Sequence, residues 1–144
     1  MKYFEVGVRY QKTTEDGKNK VVTEKFLLDA VSFTEAEKRI IEEMQQYSNL
    51  DISVISEKIT NISEVVTTED AAADKFYKVK MNIITVDGNS GRERKTPQTI
   101  IIQAASVDDA RKRFDSYIKG WLTDVTLEAV SETKYMDYFC YKAK

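Results

Sequence analysis

The sequence predicts an α+β fold of two tandem strand–strand–helix–strand repeats related by a pseudo-twofold, each a small, mainly antiparallel sheet with one packed helix. Three observations carry this expectation. The segment Phe26-Leu27-Leu28-Asp29-Ala30-Val31-Ser32-Phe33 lies over Ile100-Ile101-Ile102-Gln103-Ala104-Ala105-Ser106-Val107 at an offset of 74 residues. Repetition at one spacing marks a repeated supersecondary unit. At the same offset, Phe33, Ala36, Ile40, Met44 and Tyr47 fall on Val107, Ala110, Phe114, Ile118 and Trp121. All ten are apolar, and steps of three or four place them on one helical face. At an offset of 73, Phe4, Val6, Val8 and Tyr10 align with Tyr77, Val79, Met81 and Ile83, an alternation that belongs to a strand.

Each element then follows in order. The first strand runs from Tyr3 to Tyr10, or Phe76 to Val86 in the second copy. Asp16-Gly17 and Asp87-Gly88 are strong hairpin signals and mark the turn after it. The second strand covers about Val21–Asp29 and Thr99–Gln103, with Pro97 expected just before the latter, where a missing amide hydrogen does least harm. Ser32 and Ser106 suit helix N-caps, and Glu35 and Asp109 three residues on complete capping boxes. A third strand closes each copy at Ile52–Ile59 and Val125–Val130. The resulting division is a first repeat over 1–66, an acidic linker over 67–75, and a second repeat over 76–144 with an aromatic tail. Pattern leaves the sheet order open. A central first strand makes all three strands antiparallel, whereas a central second strand makes a right-handed parallel crossover.

Composition sets the outer limits. The chain has 144 residues, no histidine, one cysteine and one proline. Ser-His-Asp and Cys-His nucleophile systems, His-containing zinc sites and internal disulfides are therefore excluded. Net charge is −2, with no global pull toward nucleic acid or an anionic membrane. Residues 1–72 hold nine Lys/Arg against fourteen Asp/Glu, and residues 73–144 hold thirteen against ten, so the halves differ in sign. The longest purely aliphatic run is Ile100-Ile101-Ile102, too short to cross a bilayer. A lone cysteine and no visible export segment fit a reducing, cytoplasmic location.

Several segments resemble a known family. They are Tyr3-Phe4-Glu5-Val6, Val22-Thr23-Glu24-Lys25-Phe26-Leu27-Leu28-Asp29-Ala30, Ser32-Phe33-Thr34-Glu35-Ala36-Glu37, Phe76-Tyr77-Lys78-Val79-Lys80 and the stretch from Glu132 to Tyr141. The chain is similar over nearly its whole length to a domain of unknown function found in small proteins of gut Bacteroidetes and their phages. That family commonly carries proline where this chain has Lys134 and Cys140. The resemblance implies no catalytic residues.

Without histidine, catalysis would fall to carboxylates, lysine, tyrosine, serine or a metal. The acids stand as sequence neighbours, as in Glu42-Glu43, and neighbours on a helix point about 100° apart. No catalytic residue, metal ligand or cofactor is expected. The outward side of the first strands is the leading candidate surface. Tyr3 and Arg9 in the first copy, with Lys25 on the adjoining strand, match Phe76, Lys78 and Lys80 in the second. An aromatic beside basic residues on an open sheet face is a way to stack single-stranded bases and hold their backbone. Gly88-Asn89-Ser90-Gly91, followed by Arg92, Arg94 and Lys95, would add phosphate contacts. The alternative is a protein-interaction module, a phage or host adaptor or inhibitor, acting through the acidic first half and the aromatic tail Tyr135, Tyr138, Phe139 and Tyr141. That tail is expected to strap onto the core, the alternative being cover for a homodimer partner. Cys140 within it is expected to be partly buried.

Overall fold

A computed structural model describes residues 1–48 and 51–141. Its elements are β1 (Lys2–Thr13), β2 (Asn19–Ala30), α1 (Phe33–Met44), β3 (Ile52–Ile59), β4 (Ile62–Val66), β5 (Lys75–Val86), β6 (Glu93–Ala104), α2 (Val107–Ile118), β7 (Asp124–Glu132) and β8 (Tyr135–Phe139). They form two four-stranded sheets, ordered β3-β1-β2-β8 and β4-β6-β5-β7, each packed with one helix. The fold is α+β with two similar halves, as the sequence predicts. The first strand of each copy lies between the second and third, so those three strands are antiparallel. The fourth strand adds in parallel to the second.

That fourth strand changes the division of the chain. The compact units are 1–61 with 134–144, and 62–133, in place of the contiguous 1–66 and 76–144. β4 follows β3 in the chain yet completes the second sheet, and β8 follows β7 yet completes the first. The exchange is reciprocal to the residue. Tyr135, Tyr138 and Phe139 stand opposite Lys25, Leu27 and Leu28. Ile62, Val65 and Val66 stand opposite Thr99, Ile101 and Ile102. The register of the two copies thus runs on through the fourth strand.

Finer details repeat as well. Ladder irregularities at Gly7/Val8 and Lys80/Met81 occupy matching positions. The Thr60 hydroxyl donates to the Tyr3 carbonyl at 2.9 Å, and Thr133 to that of Phe76 at 2.8 Å. Each tether fixes the chain where it leaves its third strand. The two helices start alike, with the Ser32 hydroxyl accepting from the Glu35 amide at 3.2 Å and Ser106 from Asp109 at 3.1 Å. The capping acids reach back to the amides of Val31 and Ala105, satisfying donors at the helix start that would otherwise lack partners.

One core lies between each helix and its sheet. Phe4, Val6, Val8, Phe26, Leu28, Ala36, Ile40 and Met44 join Phe139 in the first. Tyr77, Val79, Met81, Ile100, Ile102, Ala110 and Phe114 make the second. The helices are shorter than the sequence predicts, ending at Met44 and Ile118. Tyr47 and Trp121 lie beyond them and are each 40% exposed.

β6 is longer than its apolar run suggests. It begins at Glu93 rather than Thr99, and Pro97 sits inside it opposite Asn82. β4 pairs with β6 only from Thr99 onward. At Pro97 the strand therefore has a neighbour on one side alone, where a missing donor is tolerated.

Candidate nucleic-acid interface

On an open sheet, the face turned away from the helix would be exposed throughout. Here its centre is closed. Gly7 and Leu27 in the first sheet, and Phe76, Thr99 and Ile101 in the second, are all buried. Phe76 is only 5% exposed, so its ring is not offered for stacking. Tyr3 is half-buried, with its ring 6.2 Å from that of Tyr138. Lys25 lies 3.8 Å from the Glu5 carboxylate, and Arg9 is exposed. The first sheet therefore gathers Tyr3, Arg9 and Lys25 on one side of β1 and β2, together with acids that offset their charge.

The aromatic tail is built into the first unit. Phe139 stacks on Phe26 at 5.6 Å. Tyr135 donates to Glu5 at 2.8 Å and Tyr138 to Asp29 at 3.2 Å. Burial, reinforced by neighbouring groups, raises both phenol pKa values above the ordinary range. Arg39 of α1 holds the end of the strand, donating to the Phe139 carbonyl at 3.3 Å and lying 5.2 Å from the Tyr141 ring centre. Cys140, expected to be partly buried, is exposed.

The second hairpin differs from the first in its charge. Residues 75–104 carry six Lys/Arg against two Asp/Glu, while the rest of that unit carries four against ten. Among the described residues, no ion pair engages Lys78, Lys80, Arg92, Arg94 or Lys95. Strand register sorts these five. Lys95 stands opposite Ile84, which puts it on the same face as Lys78 and Lys80. Arg94, opposite Thr85, belongs to the other face, and Arg92 follows the tip. Lys78 is half-buried and the other four are exposed.

The tip itself is ordered by Asp87. Its carboxylate accepts from the Asn89 amide at 2.9 Å and the Ser90 hydroxyl at 3.1 Å. These bonds, the amide first, hold its pKa below the ordinary carboxylate value. Gly91 takes a φ of 68°, a left-handed conformation that suits glycine. Thr85, Ser90, Arg92 and Arg94 line a concave surface beside this turn. Among the described residues no group of three or more Asp, Glu or Cys is placed to hold a metal ion. No helix among them is long and apolar enough to cross a membrane.

Sequence reasoning missed Leu122, which is fully exposed beside Trp121. It also missed the closed sheet faces, although Phe26-Leu27-Leu28 and Ile100-Ile101-Ile102 are the continuous apolar runs of strands buried on both sides.

Fold and charge together define a duplicated α+β protein whose second unit carries a basic hairpin. The chain belongs to the family described as Domain of unknown function (DUF4494), whose model matches residues 2–141. No curated protein matches it.

Proposed function

We propose that this chain is a non-catalytic, cytoplasmic binding protein that holds the backbone of single-stranded nucleic acid along the β5–β6 hairpin. The observation that carries the reading is the set of five cations there without ion-pair partners among the described residues. Lys78 and Lys80 are two residues apart on one face, about 7 Å along the strand, which is near the step between phosphates of an extended single strand. Lys95 continues that face, and Arg92 and Arg94 supply donors at the tip. Base stacking on Phe76 is not part of this reading. An origin in gut Bacteroidetes or their phages would suit a small nucleic-acid-handling protein, by analogy only.

Labelled oligonucleotides and fluorescence anisotropy test it. Five phosphate contacts on a single strand give a log–log salt slope of roughly −3.5, or about a hundredfold loss of affinity between about 50 and 200 mM salt. Replacing the five cations by glutamine should abolish both binding and slope. Absence of binding at low salt, or binding that survives the replacement, would refute the proposal.

A protein partner is the second reading, favoured by the exposed Trp121-Leu122 pair. The acidic first half gives it less support than the sequence suggests. Counted by compact unit, the charges are twelve Lys/Arg against twelve Asp/Glu in the first and ten against twelve in the second. A salt-insensitive partner lost on Leu122→Ser would favour this reading over the first.

A further inference from the structure

We propose that the slot beside β2 accepts β8 from a second copy of this chain as well as from its own, so that two chains complete each other's first sheet. The inference stands apart from the nucleic-acid reading. The side-chain bonds that seat β8 are made within the first unit, to residues far away in sequence. Tyr135 reaches Glu5 across 130 residues, Tyr138 reaches Asp29 across 109, and Arg39 holds the Phe139 carbonyl across 100. Tyr47 donates to Asp137 at 2.6 Å, across 90. None of these bonds requires that donor and slot share a chain.

The molecule already uses this kind of exchange internally. β4 leaves the sheet of β3 and enters the other at the equivalent register, opposite Thr99, Ile101 and Ile102. Only Thr133 and Lys134 separate β7 from β8. Thr133 remains tethered to the Phe76 carbonyl in the second unit, so the crossing lies at Lys134, which is exposed. An exchanged dimer keeps the same side-chain bonds and the same buried Phe139. It differs from the monomer chiefly in the cost of association, which concentration offsets. Release of β8 must come first, because Phe139 has to leave the core.

Sedimentation of the full chain, after annealing at high concentration just below its thermal midpoint, tests the exchange. A species of twice the chain mass is expected, persisting on dilution, and Phe139→Lys should remove it. Should that variant fail to fold, a cross-link decides. Lys25 and Tyr135 are register partners, so chains bearing Lys25→Cys and chains bearing Tyr135→Cys, both with Cys140→Ser, should form a mixed disulfide after annealing together. A wild-type chain that stays monomeric, a Phe139→Lys dimer equal to the wild type, or a dimer without the mixed disulfide would overturn the proposal.

Discussion

Replacing Phe139 by alanine probes how firmly β8 is part of the first core. Phe139 is 6% exposed, stacks on Phe26 with ring planes 19° apart, and meets Tyr47 edge-on at 6.4 Å. Truncating a buried phenylalanine costs about 3–5 kcal/mol through lost transfer energy and the cavity left behind. An aromatic pair contributes about 0.5–1.5 kcal/mol beyond burial, which places this site toward the upper part of that range. Met136 on the same strand is 49% exposed, so Met136→Ala should stay within about 0.5 kcal/mol. Urea unfolding followed by circular dichroism measures both. If Phe139→Ala cost less than about 1 kcal/mol, well under the range for a buried ring, or no more than Met136→Ala, β8 would not be seated as described.

Other perturbations follow from the repeated details. Ser32→Ala and Ser106→Ala should each cost about 1 kcal/mol in urea unfolding, since each removes one cap bond; a much larger cost for one would break their equivalence. A Cβ added at Gly7 would crowd the Ser56 hydroxyl oxygen. Ser56 is exposed and its hydroxyl can turn aside, so Gly7→Ala should cost no more than about 1 kcal/mol, the scale of one displaced rotamer, with that cost recovered when Ser56→Ala is added. Additive effects would show that this close approach is not the cause. Tyr10, Tyr135 and Tyr138 all have pKa values raised, first by burial and then by their acceptors or neighbours. The neutral phenol is favoured in the folded chain, so this stability is fully present below the unfolded value near 10 and is lost as pH rises through the folded values. An ultraviolet titration should show these tyrosines ionising only with alkaline unfolding; ionisation near the ordinary phenol value in the folded protein would contradict their burial.

Much of the scaffold is legible in the residues. Alternation at Phe4, Val6, Val8 and Tyr10 locates β1, and the pattern places the third strand at Ile52–Ile59, its observed limits. Ser32 and Ser106 cap as their capping boxes suggest. The fourth strands escape because each has five residues and lies just after another strand. Their signal is nevertheless present: Ile62, Val65 and Val66 lie over Tyr135, Tyr138 and Phe139 at the 73-residue offset. The candidate surface is less legible, because alternation names the two faces of a strand without saying what covers them. Phe76 faces outward by parity and is buried. Lys95 reads by spacing as part of the tip, and register moves it to the face of Lys78 and Lys80.

Which sheet each fourth strand joins decides how the two units are assembled, and interstrand nuclear Overhauser effects in solution report this directly. Contacts between Tyr138 and Leu27, and between Val65 and Ile101, are expected from the pairing. Contacts between Val65 and Leu27, and between Tyr138 and Ile101, would instead leave every strand in the sheet of its own half and contradict the exchange.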